Sequence, residues 1–356
     1  MAKPLPQPLH GRGATANPDN RFAVHARDWL DDGWGNLDDT PPPLRTELSI
    51  DSSRSIISYN DSPDVPFDRS INPYRGCEHG CVYCFARPTH AYLGLSPGLD
   101  FESRLSYKPD AAAQLRAELG RSAYRCAPIA LGINTDAYQP VERHLGITRD
   151  IIEVLGEFRH PFSIITKSAL IERDIDLLSA LAAQNLAHVA VSITTLDRSL
   201  ARTLEPRAAA PERRLETIRR LHAAGIPVSV LIAPLIPVLT DHELEKVMTA
   251  VREAGALDVG YVLLRLPLEV ADLFEQWLQH HQPLKAAHVM NRLRDCRDGK
   301  LYDNRFGHRM RGRGEYAELL HRRFHLAYEK LGFNDTPRLD CEQFRVPGRA
   351  QQLGLF

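Results

Sequence analysis

The chain has 356 residues, of which 43% are hydrophobic and 25% are charged. These proportions exclude a disordered chain, and the lack of a short repeat excludes a fibre. Because 44 Lys and Arg residues face 45 Asp and Glu residues, bulk charge does not favour binding to polyanions. Six cysteines are too few for a disulfide scaffold. No apolar leader precedes the first polar residues, so we expect a cytoplasmic protein.

Residues 1–65 are predicted to form an irregular N-terminal extension. Turn-forming residues recur here, as in Asp38–Pro43 and Asp61–Pro66. Phe22, Trp29 and Trp34 are unfavourable in water. We therefore expect this extension to wrap a folded core.

Residues 66–270 alternate short apolar runs with helical patterns. The predicted strands are Ser70–Pro73, Ile129–Gly132, Phe162–Thr166, Val189–Ile193, Val228–Ile232 and Tyr261–Leu264. The predicted helices between them are Ala111–Leu119, Thr148–Phe158, Ile175–Gln184, Pro211–Ala224 and Asp241–Ala254. Strands that are apolar on both faces and alternate with helices indicate a parallel sheet. Six such units predict an α/β fold of the partial (β/α)6, TIM-like barrel type. A doubly wound sheet is the alternative, which periodicity alone does not separate from the barrel.

Residues 271–335 are predicted to form a helical C-terminal region, followed by an extended tail over residues 336–356. The helical patterns are Val270–His280, Ala286–Arg297 and Tyr316–Leu331. A loop rich in arginine and glycine lies between the last two.

Three cysteines cluster directly after the first predicted strand. Cys77, Cys81 and Cys84 have the spacing Cys-x3-Cys-x2-Cys, and Gly76 and Gly80 allow the loop to curl. A closed structural zinc site or an electron-carrying [4Fe–4S] cluster takes four protein ligands. Three thiolates therefore leave one metal position open for a small molecule. The alternative is a zinc site that His79 completes.

The stretch Asn72–Pro88, with Tyr83 before the third cysteine, resembles the radical S-adenosylmethionine (SAM) superfamily. It is most similar to an uncharacterised bacterial subgroup of the branch related to spore photoproduct lyase. The resemblance implies that Cys77, Cys81 and Cys84 hold a [4Fe–4S] cluster whose fourth iron binds SAM. It further implies an external flavodoxin- or ferredoxin-like electron donor and reductive cleavage of SAM to a 5′-deoxyadenosyl radical that abstracts hydrogen.

Polar residues at the ends of the second and third predicted strands are expected to bind SAM together with Tyr83. In this family Gly-Gly-Glu often meets the methionyl amino group after the second strand, and here Asn134, Thr135 and Asp136 take that place. Lys167 ends the third strand, where its partner would be the methionine carboxylate or Asp136. The alternative is that Asn134 and Asp136 only form a turn.

The fourth strand and the loop after it supply further candidates. Ser192 and Thr194 suit the ribose hydroxyl groups, or else they satisfy the local backbone. Arg207 suits a carboxylate, or else it pairs with Glu205. Arg265, at the end of the sixth strand, points either into the barrel mouth or outward, and alternation does not decide between the two.

The expected hydrogen-atom relay departs from the lyase pattern. Lyase relatives carry a cysteine at the end of the second strand, where this chain has Asn134, Thr135 and Asp136. Cys126 precedes that strand and should lie at the opposite face of the sheet. Tyr138 and Tyr261 are predicted to replace the missing cysteine as the radical relay. Because that cysteine is missing, photoproduct lyase activity itself is not predicted.

Two features suggest work on nucleic acid, including its repair or modification. A loop after residue 304 is predicted to bind phosphates through Arg305, Arg309, Arg311 and Arg313. The alternative is that these arginines only form a solvated basic face. The last residues resemble peptides that bind the bacterial sliding clamp, and the residues that would bind it are Gln352, Leu353, Leu355 and Phe356. The alternative is that this end of the chain packs on the core. A non-catalytic, clamp-associated metal-binding module is therefore the alternative function.

Overall fold

The computed structural model of the protein describes residues 8–23 and 44–348. Within them the strands are β1 (Glu47–Ile50), β2 (Ile57–Tyr59), β3 (Arg69–Ile71), β4 (Tyr74–Arg75), β5 (Arg104–Tyr107), β6 (Ile129–Leu131), β7 (Phe162–Thr166), β8 (Ala187–Ser192), β9 (Val228–Leu235) and β10 (Asp258–Leu263). The helices are α1 (Asp100–Ser103), α2 (Ala111–Leu119), α3 (Glu142–Leu145), α4 (Ile147–Glu157), α5 (Ile175–Ala182), α6 (Arg198–Leu204), α7 (Pro211–Ala223), α8 (Leu244–Glu253), α9 (Val270–His281), α10 (Pro283–Asp295) and α11 (Glu315–Leu331). Short 3-10 helices span Arg87–Leu93, Ala169–Asp174 and Asp241–Glu243.

The central sheet has the strand order β10-β9-β8-β7-β6-β3-β2. From β3 to β10 all neighbours are parallel, and β2 adds an antiparallel edge. Because the order runs in one direction without reversal, the sheet follows the (β/α)6 pattern, whereas a doubly wound sheet reverses direction. Among the described strands β10 does not pair with β2, so the barrel is open.

The six predicted strands and the long helices are confirmed, with boundaries that differ by up to three residues. Their apolar patterns are recognisable because all residues of these strands are buried or half-buried. In β6, for example, Ile129, Ala130 and Leu131 are all fully buried. The parallel direction puts the carboxyl ends of these strands at one edge, where side chains that follow them in sequence can meet.

The region before β3 is more regular than predicted. Strand β1 pairs with β5, which pairs with β4 in a small second sheet. All four side chains of β1 are exposed, so no apolar pattern marks it. Ile56 and Ile57 are buried in the main core, whereas Phe22 is 55% exposed. Trp29 and Trp34 lie outside the described residues.

The C-terminal helices pack along the later strands of the sheet. Arg323 of α11 forms an ion pair with Glu245 of α8 at 2.6 Å. Arg297, just after α10, donates to the carbonyl oxygens of Leu263 and Leu264 where β10 ends. Residues 336–348 contain no helix or strand. Across the described part of the chain, none of the helices has the length and apolar composition needed to cross a membrane.

Candidate active site

The cysteine loop follows β4 and depends on two glycines. Gly76 and Gly80 have φ values of +78° and +69°, which disfavour other residues. There is also no space for a side chain. A Cβ on Gly76 would lie 2.8 Å from the Phe101 carbonyl oxygen, and one on Gly80 would lie 2.7 Å from a Glu102 carboxylate oxygen. The predicted curl of the loop is therefore present.

A buried ion pair holds the loop from behind. Arg87 and Glu102 are both fully buried and bonded to each other. The Arg87 guanidinium also donates to the carbonyl oxygens of Cys81 and Gly80, at 2.9 and 3.2 Å. All charge in this pair is compensated, which is the condition for a buried ion pair to be tolerated.

The N-terminal extension contacts Glu102 of the same ion pair. The backbone N–H groups of Gly13 and Ala14 donate to the Glu102 carboxylate at 2.9 and 2.8 Å. Arg12 donates to the Glu102 carbonyl oxygen at 2.6 Å. A Cβ on Gly13 would lie 1.8 Å from the Gly80 carbonyl oxygen, so only glycine allows this approach. Part of the predicted extension is thus a structural element of the site.

The three cysteine thiols line one cavity of about 270 Å³. Cys77 and Cys81 are buried and Cys84 is half-buried. Burial raises the pKa of Cys77 well above its usual range, and the neighbouring Cys81 and Cys84 raise it further. Burial also raises the pKa of Cys81 to about 12. Thiols in this state need the charge of a bound metal to ionise, because coordination itself removes the proton.

The donor set fits a multi-iron cluster better than a single ion. Among the described residues, no three His, Cys, Asp or Glu side chains are placed to share one metal ion. In a cluster each thiolate binds its own iron, so three neighbouring but separate thiols suit it. His79, the predicted zinc ligand, places its Nδ1 3.3 Å from Asp136. The zinc alternative is therefore not supported.

Asp136 joins the cysteine loop to the next two strands. Its carboxylate accepts from the Thr166 hydroxyl and from the Lys167 N–H, both at 2.7 Å, and it pairs with His79. Burial would raise the pKa of Asp136, but His79 and these donors hold it at about 2. Its own backbone N–H faces the Cys77 sulfur. Asp136 is thus an ionised carboxylate that connects the cysteine loop to the end of β7.

Lys167 reaches the cavity without an ion pair. No carboxylate of the described residues lies within 4 Å of its amino group, although Glu205, Asp136 and the Cys81 thiol are close enough to act on it. Burial lowers the pKa of Lys167, and Cys81 and Glu205 overcome that effect and raise it. A charged amino group therefore faces the space beside the cysteines.

A second buried ion pair lies behind Tyr83. The Tyr83 hydroxyl and the Arg214 guanidinium both donate to Glu205, and Thr194 donates to it at 2.7 Å. Arg214 also donates to the Ser192 carbonyl oxygen at 2.9 Å. Burial would raise the pKa of Glu205, but Arg214 and Lys167 hold it at about 2. The composition around Glu205 carried no motif that would have identified this pair from the sequence.

The structure brings most of the predicted SAM-binding residues to the cavity and leaves the rest outside. The predicted residues that line it are Cys77, Cys81, Cys84, Tyr83, Asn134, Asp136, Lys167 and Ser192. Thr135 instead donates to the Tyr74 carbonyl oxygen, and Thr194 is bonded to Glu205. Arg207 pairs with Glu78 at 3.0 Å, neither with Glu205 nor at the cavity wall. These three residues do not line the cavity, and their contacts to SAM stay predictions.

The predicted relay tyrosines, Tyr138 and Tyr261, have partners outside the cavity. Tyr138 is fully buried, and its hydroxyl donates to Asp174 at 3.0 Å. Tyr261 packs on Phe324 and its hydroxyl lies 3.4 Å from His321. Neither is among the residues that line the cavity, and their role as relays stays a prediction. Sequence position at a strand end does not specify which face a side chain takes.

Most of the predicted phosphate-binding arginines form ion pairs or hydrogen bonds with other residues of the chain. Arg305 pairs with Asp303 and Asp298, and Arg309 pairs with Asp64. Arg313 bonds to His308, and Arg311 is exposed. These ion pairs weaken the prediction of a phosphate-binding surface. The predicted clamp-binding residues Gln352, Leu353, Leu355 and Phe356 lie outside the described residues, so that prediction stays untested.

Curated relatives match the region that contains the site. An uncharacterized protein of Mycobacterium tuberculosis is 40% identical over 221 residues, which is 62% of this chain and 65% of that protein. One of Methanocaldococcus jannaschii is 27% identical over 213 residues, 60% of this chain and 76% of that protein. The matched region therefore spans slightly less than two thirds of the mycobacterial relative.

Solved structures show the same fold. Spore photoproduct lyase complexed with dinucleoside spore photoproduct has a TM-score of 0.58 and 17% identity, covering 80% of both chains. A double mutant of that enzyme, with bound AdoMet and the dinucleoside, gives the same values. At this identity the likeness concerns the fold.

The family model described as the radical SAM superfamily matches residues 71–251, which include the three cysteines and strands β6 to β9. Members of this superfamily use a [4Fe–4S] cluster and SAM. The matched residues form the sheet and the cysteine loop around one cavity. The chain belongs to the radical SAM superfamily.

Proposed function

We propose that this protein cleaves SAM reductively to start radical chemistry on a C–H bond of an organic substrate. One observation carries the proposal: three thiols that are not paired with each other open onto the cavity that also receives Lys167 and Asn134. Cys77, Cys81 and Cys84 would hold the cluster, and the missing fourth protein ligand leaves one iron for SAM. When bound, the reduced cluster supplies one electron to SAM and thereby a 5′-deoxyadenosyl radical that abstracts hydrogen.

The residues around the cysteines would orient SAM. Lys167 supplies an unpaired cation, which suits the methionine carboxylate. Asp136 is already surrounded by donors from His79, Thr166 and Lys167. It therefore fixes the loop and the start of the Lys167 segment, and it leaves the amino group of SAM to Asn134.

Much of the remaining cavity wall is apolar, which would keep water away from a reactive intermediate. Ile165, Leu231 and Leu264 contribute to it. The cysteines among the described lining residues are the three predicted ligands, so no further thiol is present there to return hydrogen. Cys126 lies beside Cys341, at the amino-terminal edge of the sheet. A thiol relay of the lyase type is therefore not part of the proposal.

The test is anaerobic reconstitution with iron and sulfide, followed by reduction in the presence of SAM. We expect a brown protein that forms 5′-deoxyadenosine, measured by liquid chromatography and mass spectrometry. Cys77→Ala should abolish the product, because one cluster ligand is lost. Cys126→Ala is the matched control and should retain it. A colourless, zinc-loaded protein, or product formation by Cys77→Ala at the wild-type rate, would contradict the proposal.

The alternative function, a clamp-associated module that holds a metal only for structure, makes the opposite prediction. It requires metal-dependent folding without formation of 5′-deoxyadenosine. Mass spectrometry of nucleic acids from cells with and without the gene then addresses whether the substrate is nucleic acid. Fold likeness does not select a substrate, because one scaffold supports many reactions.

A further inference from the structure

Arg265 lines the cavity, two residues after the end of β10. Its guanidinium carbon lies 5.3 Å from the Phe85 ring centroid and 5.8 Å from that of Tyr302. The backbone is held in place from behind, because Arg297 donates to the carbonyl oxygen of Leu264 at 2.7 Å. Two aromatic rings and a fixed backbone therefore restrict the position of this side chain.

The polar edge of Arg265 is poorly satisfied. Its Nη1 lies 3.3 Å from the Met310 sulfur, and its Nη2 lies 3.5 Å from the Tyr302 hydroxyl, at the limit of a hydrogen bond. Its Nε is buried with no partner. Among residues 8–23 and 44–348 no carboxylate lies within 4 Å of it. The nearby Asp64 already accepts from Arg309 and from the Gly307 N–H.

Two buried arginines have many more acceptors than Arg265. Arg87 bonds to four carbonyl oxygens and to Glu102. Arg214 bonds to two carbonyl oxygens and to Glu205. A third, Arg297, shares the unpartnered Nε but still donates to carbonyl oxygens. Arg265 donates to no carbonyl or carboxylate oxygen of the described residues, and because it lines the cavity, an acceptor from outside the chain can reach it.

We propose that Arg265 binds an oxyanion of the substrate, a carboxylate or a phosphate, while a planar part of the same substrate packs on Phe85. The planar guanidinium presents parallel N–H donors that match such oxyanions. Phe85 is 43% exposed and lines the cavity, so it offers a ring face beside that cation. This inference rests on the proposed function, because it assigns the deeper part of the cavity to SAM. An anchored oxyanion would restrain the substrate relative to the cysteine loop.

The test uses three small probes on the cluster-reconstituted, SAM-bound and unreduced protein. Benzoate carries a carboxylate, phenyl phosphate carries a phosphate, and benzyl alcohol is the neutral counterpart. Isothermal titration calorimetry should show that at least one anion binds tenfold or more tightly than the alcohol. The preferred anion distinguishes a carboxylate from a phosphate. Arg265→Gln should abolish the preference, and Arg265→Lys should retain part of it.

One control variant makes the outcome specific. Arg219→Gln removes an exposed arginine of α7 and should leave the preference unchanged. Equal binding of all three probes, a preference that survives in Arg265→Gln, or a loss of the preference in Arg219→Gln would overturn the inference. Formation of 5′-deoxyadenosine by the same preparation tests the proposed function separately.

Discussion

Two regions of the site satisfy their charged groups to different degrees: the support behind the cysteine loop, formed by Arg87 and Glu102 and called the floor, and the part of the cavity lined by Arg265, called the mouth. At the floor, Glu102 receives Arg87 and two backbone N–H groups, so each charged atom has a partner within the chain. At the mouth, Arg265 has a thioether and a distant hydroxyl. A fully satisfied network holds one geometry, whereas an unsatisfied donor has free energy to gain from a ligand.

This difference separates the residues that support the cysteine loop from the residue proposed to recognise the substrate. The cysteine loop must present three sulfurs in a reproducible arrangement, and its glycines, Arg87 and Glu102 restrict it to one path. The mouth must admit and release a substrate, so its polar donor is left for that substrate. Variants on the two sides should therefore differ in what they change.

The largest effect is expected for Arg87→Ala at the floor. The substitution leaves Glu102 buried without its cation, and removal of one member of a buried pair costs about 3–5 kcal/mol. Urea unfolding measures the free energy of unfolding directly. The control is Arg116→Ala, which removes an exposed pair with Glu157 and should cost no more than about 1 kcal/mol. Equal losses in both variants would remove the distinction between a structural floor and an ordinary surface.

Glu205→Gln should have the next largest effect and lower the free energy of unfolding by about 3 kcal/mol, because Arg214 loses its buried counter-ion. The folded pKa of Glu205 is about 2, below its usual 4.5, so its ionisation stabilises the fold fully above pH 4.5. That contribution is lost as the pH falls from 4.5 towards 2. The gap between the wild type and Glu205→Gln in urea unfolding should therefore be constant near neutrality and close in this window. A gap that widens on acidification would contradict the assignment.

Gly13→Ala tests whether the N-terminal segment supports the floor. A Cβ there would overlap the Gly80 carbonyl oxygen, so we expect a loss of about 1–3 kcal/mol and faster release of iron from the reconstituted protein. Gly156→Ala in α4 is the matched control. Its Cβ would make an ordinary contact with Leu181 at 3.5 Å, and it should stabilise the helix by about 0.5–1 kcal/mol. Iron retention unchanged in Gly13→Ala would show that the segment is not part of the support.

The smallest effect on stability is expected at the mouth. Arg265→Gln removes a cation that has no ion pair, so urea unfolding should change by less than about 1 kcal/mol in either direction. Arg214→Gln, which breaks a buried ion pair, should cost several times more. If both variants lost equal stability, Arg265 would be a structural residue and the contrast between floor and mouth would not hold.

The strands, the main helices and the cysteine loop were predictable because each leaves a local signal. Buried parallel strands form apolar runs, and the three cysteines and two glycines lie within nine residues of sequence. The strands β1 and β2 were missed because short, exposed strands carry no periodic pattern. The absence of Tyr138 and Tyr261 from the cavity lining was not predictable, because sequence position relative to a strand does not define the direction of a side chain.

The amino-acid order is sufficient to predict the superfamily, the (β/α)6 pattern and the three cysteines proposed as cluster ligands, since each strand, helix and motif is a local signal in the chain. Long-range contacts specify the rest. Glu102 meets Gly13 across 89 residues, Tyr83 meets Glu205 across 122, and Arg265 meets Met310 across 45. Such pairs depend on how strands and loops stack in space, and no local pattern encodes them. Folding therefore decides which charges are satisfied and which one remains for a substrate.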